Sequence, residues 1–245
     1  MTKILAIETT EKQGSVAVSN DGVVLLCLSL DNRMRSAQSL IPAIKTLLAD
    51  VSISTQLIDV IAVAIGPGSF TGLRVGLATA RMLAYTIGAK LLGINTLQSI
   101  AANLTPENEG KIGQKIEQKV TVAIDAQRGD VSAQTFLLTQ GSHFNDFIFP
   151  IPQDEPQLMS FENWLNLSLD DENLLFCGPV LKKNTLQKTK NIPLVDEKYW
   201  QPNAVGVTRI AWERFQAGES DDLWSLQPYY SRLSAAEEKK LSVKK

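Results

Sequence analysis

The chain has almost no histidine. One, His143, occurs in 245 residues, beside two cysteines, Cys27 and Cys177. A zinc site needs several convergent ligands, and a Ser-His-Asp or Cys-His set would have only His143, in a Phe-containing loop, to act as its base. A peptidase is therefore the weakest reading. The cysteines lie far apart and match no metal or redox spacing, so small buried hydrophobes are expected. Neither sign of charge is in excess. Lys+Arg 24 against Asp+Glu 26 give net −2, which excludes a global basic field for RNA or a membrane surface. No apolar run is long enough to span a bilayer. The opening MTKILAIETT enters a strand at once, unlike a signal peptide, and a reducing cytoplasm is the consistent compartment.

What is present is concentrated in IAVAIGPGSFTGLRVGLATARMLAYTIG, from Ile61 to Gly88. Ile61, Val63 and Ile65 are β-branched and separated by alanines, as in a central strand covered on both faces. Gly66, Pro67 and Gly68 stop the strand, and Ser69 or Thr71 can cap the helix that follows. The first helical turn offers free N–H groups and a dipole to an anion. It is not a P-loop: Gly66 and Gly72 have five residues between them, and Leu73-Arg74 follow. Nor is it G-x-G-x-x-G, because Gly72 comes one residue too late. Close packing of a tight turn and a phosphate seat both remain open.

The surrounding pattern is α/β. Strands are expected at Ile4–Ile7, Ser15–Val18 and Val23–Leu30, a meander turning at Asn20-Asp21-Gly22. A helix over 37–49, capped by Ser36, tolerates Pro42 only near its first turn. After the glycine turn comes a helix over 71–88, then a strand at Lys90–Ile94. The polar stretch Asn103–Lys119 marks a boundary. Val120–Ile124, the turn DAQRGD and Val131–Leu138 repeat the opening hairpin, with Glu8 and Asp125 ending the first strand of each. A loop is expected from Gly141 to Pro156, a strand at Leu174–Cys177, and a helix over 205–216. These give an N-terminal subdomain, 1–102, a C-terminal one, 103–232, whose late helix can pack back on the first, and a charged tail, 233–245.

Two hairpins with acidic turns in a two-subdomain α/β chain resemble the fold of actin, the chaperone ATPases and sugar kinases, with a mixed sheet and flanking helices in each subdomain. In that fold the two turns clasp nucleotide phosphates. More specifically, ILAIETT at Ile4, SAQSLIPAI at Ser36, IAVAIGPGSFTGLRVGLATA at Ile61, AIDAQRGDV at Ala123 and PYYSR at Pro228 are similar, in order and spacing, to the TsaB (YeaZ) family, with GPGSFTGLR the most specific run.

The resemblance implies a non-catalytic subunit in bacterial synthesis of tRNA N6-threonylcarbamoyladenosine. Its partners would be the catalytic paralogue TsaD, the ATPase TsaE and, through the complex, tRNA, with a homodimer when alone. It implies no cofactor of its own, a nucleotide at a complex interface being left open. TsaD relatives bind their metal through N-H-x-x-G-H; here the element is Asn95-Thr96-Leu97-Gln98-Ser99-Ile100, and neither Thr96 nor Ile100 suits a transition metal. Neither a catalytic residue nor a metal site is therefore expected. Phosphate-loop remnants would be Glu8, Thr9, Gly66, Gly68, Ser69, Thr71, Gly72 and Asp125. Glu8 is one methylene longer than the Asp usual in the fold, and Arg128 and Asp130 can pair across the second turn beside Asp125.

Gly72, Gly76 and Ala80, at i, i+4 and i+8, form a groove either for a partner helix or for the chain's own sheet. The implied docking region is the helix pair, with Leu40, Ile44, Leu47, Leu73, Arg74 and Leu77 as its residues, so Leu77→Glu is expected to abolish partner binding with the fold retained. The competing reading is a free-standing ATP-binding hydrolase or kinase, which would turn over ATP with Mg²⁺.

Overall fold

The computed structural model describes residues 1–31, 36–104, 118–140, 148–167, 171–184 and 192–232. Its first sheet has the order β3-β2-β1-β4-β5. β1 (Lys3–Glu8), β2 (Ser15–Asn20) and β3 (Val23–Ser29) form the antiparallel meander; β4 (Val60–Gly66) and β5 (Lys90–Asn95) run parallel to β1. Helices α1 (Ser36–Asp50) and α2 (Phe70–Ile87) make the crossovers. Period-2 alternation sorts the two faces of this sheet. Leu5, Ile7, Ile61 and Val63 pack with Leu40, Ile44, Leu47 and Leu77 of α1 and α2. Ile4, Ala6, Ala62 and Ala64 pack with Val207, Ile210 and Ala211 of the late helix, Ala204–Gln216. The alanines of β1 and β4 leave room on that side for a closely packed helix.

The second sheet has the order β10-β6-β7-β8. β6 (Gln118–Asp125) and β7 (Asp130–Gln140) are antiparallel. The long β7 pairs with β8 (Ile148–Pro152) near its end and with β9 (Gln157–Ser160) near its start, while β10 (Leu175–Cys177) lies parallel to β6. Between the sheets in sequence stands α3 (Thr96–Ala101), whose Leu97, Ile100 and Ala101 enter the second core. Trp164 of α4 (Phe161–Asn166) is fully buried there, edge-on to Phe176 at 5.0 Å, and its indole N–H donates to the Thr121 hydroxyl at 2.8 Å. A short α5 (Val180–Asn184) follows β10, and the late helix is α6.

Three local expectations change. The stretch 141–156 is not one loop, because Ile148–Pro152 is a strand; its prolines are tolerated on an outer strand, where no ladder donor is needed on the free side. Pro42 lies in the second turn of α1 rather than its first. Cys177 is buried as expected, but Cys27 is only half-buried. His143, the polar stretch 105–117, the tail 233–245 and the side chain of Ser36 lie outside the described residues. Among the described residues no helix is long and apolar enough to cross a membrane.

Candidate phosphate turn and docking face

The turn from β4 into α2 is built by Gly66 through Ser69. Ser69 is the cap: its hydroxyl accepts the Gly72 N–H at 3.3 Å, while its own N–H donates to the Thr10 carbonyl at 2.7 Å. The Thr9 hydroxyl donates to the Gly72 carbonyl at 2.8 Å. The turn between β1 and β2 therefore lies directly on the start of α2. The glycines permit that approach. A Cβ on Gly72 would stand 1.8 Å from the Thr9 carbonyl oxygen, and one on Gly68 2.5 Å from the Thr10 Cβ. Gly66, at φ +120°, meets the Tyr229 carbonyl oxygen in the same way, at 2.2 Å. The glycines of this turn are therefore closely packed against the chain itself. Gly76 and Ala80 continue this packing, buried against Thr9 and the sheet, so the small-residue groove is filled from within. Thr71 is exposed and takes no part in the cap. Gly72→Ala should cost about 3 kcal/mol, the upper end for overpacking, because backbone rather than a flexible side chain must move. A urea titration of the variant measures it, and an unchanged midpoint would contradict this packing.

Glu8 closes β1 and is completely buried. Its Oε1 accepts the Thr10 N–H at 2.6 Å and the Thr10 hydroxyl; its Oε2 is buried without a partner. Burial pushes the carboxyl up to about 7, and the two Thr10 bonds only partly oppose it. The side chain is thus folded onto its own turn. In the second hairpin, Asp125 Oδ1 accepts the Gln127 N–H at 2.8 Å, a turn-capping bond, with Gln127 and Arg128 both at positive φ. Asp130 pairs with Arg232, far along the chain.

Thr96 and Ile100 are both fully buried. Ile100 packs in the second core. Asn95 accepts from Leu97 and Gln98 N–H through Oδ1 and donates to Gln134 through Nδ2 at 2.8 Å, which ties α3 to the second sheet. Among the described residues no group of three or more His, Cys, Asp or Glu is placed to hold a metal.

The helix pair needs a correction. Leu40, Ile44, Leu47, Leu73 and Leu77 all face the protein's own interior, each 4% exposed or less. Of the six residues expected to dock a partner, Arg74 alone points outward. Hydrophobicity marked the core stripe, which every surface helix needs, rather than the outer one. The outer stripe of α2 runs through Phe70, Arg74, Ala78, Met82 and Tyr85, with Ile41 exposed on α1. The Arg74 guanidinium lies 3.8 Å over the Phe70 ring and donates to the Tyr230 hydroxyl at 3.1 Å. Tyr85 meets Trp224 edge-on at 5.6 Å. The signal available for this face was the recurrence of Phe70, Arg74, Ala78, Met82 and Tyr85 at intervals of three or four residues.

A family model described as TsaD: tRNA N6-adenosine threonylcarbamoyltransferase matches residues 33–147. The tRNA threonylcarbamoyladenosine biosynthesis protein TsaB of Bacillus subtilis is 25% identical over 248 residues, spanning 99% of both chains. Its namesake in Escherichia coli is 34% identical over 129 residues, 53% of this chain and 52% of that one. Among solved structures, YeaZ from Pseudomonas aeruginosa superposes with a TM-score of 0.76 at 21% identity, covering 94% of this chain and 100% of that one. The fold is that of actin, the chaperone ATPases and sugar kinases, with two related subdomains. The chain is thus similar to TsaB of Bacillus subtilis over its whole length, and its fold is that of YeaZ.

Proposed function

We propose that this chain serves bacterial synthesis of tRNA N6-threonylcarbamoyladenosine as a non-catalytic subunit in the cytoplasm. It docks a TsaD-type catalytic paralogue through the outer faces of α1 and α2, and the pair recruits the ATPase TsaE. Contact with tRNA is made through the complex, and the same faces form a homodimer when the paralogue is absent. The observation that carries this reading is the exposed stripe Phe70, Arg74, Ala78, Met82 and Tyr85, since aromatic residues, Met and Arg are enriched where protein partners bind. The turn filled by Thr9 and Thr10 supports a chain that needs no nucleotide of its own, and buried Thr96 and Ile100 support the absence of the paralogue's metal chemistry.

Size-exclusion chromatography with light scattering tests it, first on the chain alone and then with the TsaD of the same organism. A homodimer that gives way to a one-to-one heterodimer is expected; a monomer indifferent to TsaD would sink the proposal. Met82 is 59% exposed. Met82→Glu should therefore change stability by no more than about 0.5 kcal/mol. It should weaken association by about 2 kcal/mol, the scale of an interface anchor. Turnover of ATP by the chain alone would favour a free-standing hydrolase instead.

A further inference from the structure

After α6 the chain runs as an irregular segment, 221–232, across several distant elements. Asp221 bridges to Leu91 on the edge of the first sheet, and its carboxylate accepts the Gly93 N–H at 2.7 Å. The Leu226 carbonyl accepts from Arg81 of α2 at 2.6 Å. Tyr229 donates its N–H to the Ile65 carbonyl at 2.7 Å and its hydroxyl to the Pro156 carbonyl, in the second subdomain, at 3.1 Å. Tyr230 stacks at 4.9 Å on Phe70. Arg232 then pairs with Asp130 at the turn between β6 and β7.

We infer that this segment is a mechanical tie between the outer face of α2 and the β6–β7 turn. Tyr229, Tyr230 and Arg232 are held within four consecutive residues, and a residue spans at most about 3.6 Å. A shift of Tyr230 with the face of α2 must therefore pull on Tyr229 and Arg232. The far end is fastened by the ion pair: the Ser231 hydroxyl and Arg232 Nε are buried without partners, so this end is also where the tie releases. A protein seated on α2 would thereby bias the second subdomain. The tie itself does not depend on which protein that is.

Native-state hydrogen exchange on the full chain tests it without a partner. In Arg232→Ala, exchange should rise at the amides of Asp130, Tyr229 and Leu73 together, by about fivefold or more, the lower end for coupled sites. Asp130→Ala should reproduce the pattern, the double variant should add nothing, and Arg232→Lys should restore most of the protection. A rise confined to Asp130, additive single effects, or an equal rise across the β1–β4 ladder would overturn the tie.

Discussion

Leu77→Glu is expected to unfold the protein rather than merely to release a partner. Leu77 is 4% exposed in the cluster formed by α1, α2 and the first sheet. Truncating a core leucine alone costs about 2–5 kcal/mol. A carboxylate with no partner in that cluster adds several more, or takes up a proton at comparable expense. Together these approach the whole stability of an ordinary domain, about 5–15 kcal/mol. The far-ultraviolet circular dichroism melt should lose its cooperative transition or fall far below that of the wild type. Met82→Glu, on the opposite side of the same helix, should melt normally, so the two variants separate folding from association. A wild-type melt for Leu77→Glu would mean that the helix is rotated from the position described here. Sequence analysis predicted that outcome, because α2 is apolar on more than one side and Leu77 could have faced either way.

The second large effect is a fall in stability with rising pH that Glu8→Gln removes. The folded carboxyl titrates at about 7, raised by burial from its ordinary 4.5. Between those values the folded state binds more protons than the unfolded one, so stability declines as pH rises. The contribution is complete below about pH 4.5, is lost through pH 7, and amounts to about 3 kcal/mol at 1.36 kcal/mol per pH unit. Glutamine keeps an acceptor for Thr10 and cannot ionise. Its buried amide lowers stability by a constant amount but leaves no slope. Urea titrations from pH 4.5 to 8 should show the wild type losing about 3 kcal/mol relative to Glu8→Gln. Other titrating groups cancel between the two proteins. Parallel curves would show that the Glu8 carboxyl is hydrated.

Much of the fold was legible because its signals are local. The meander, the strand at Ile61, the cap at Ser69 and the helix after it follow from alternation, glycine and hydroxyl chemistry within a few residues of one another. The strand Ile148–Pro152 escaped because proline reads as a breaker, and only its neighbour β7 shows that no ladder bond is lost. The site was less legible. Nothing near Gly72 announces that Thr9 fills the space above it, sixty-three residues away. Nothing near Arg232 announces Asp130. The sequence by itself determined the element types of the first hundred residues and the resemblance to the TsaB (YeaZ) family, since these depend on residue identity and short-range pattern. Only the tertiary structure decided that Leu40, Ile44, Leu47, Leu73 and Leu77 face inward, that Phe70, Arg74 and Met82 face outward, and that the glycine turn is occupied by the chain's own backbone. A helix apolar on two sides has no preferred rotation until a sheet covers one of them.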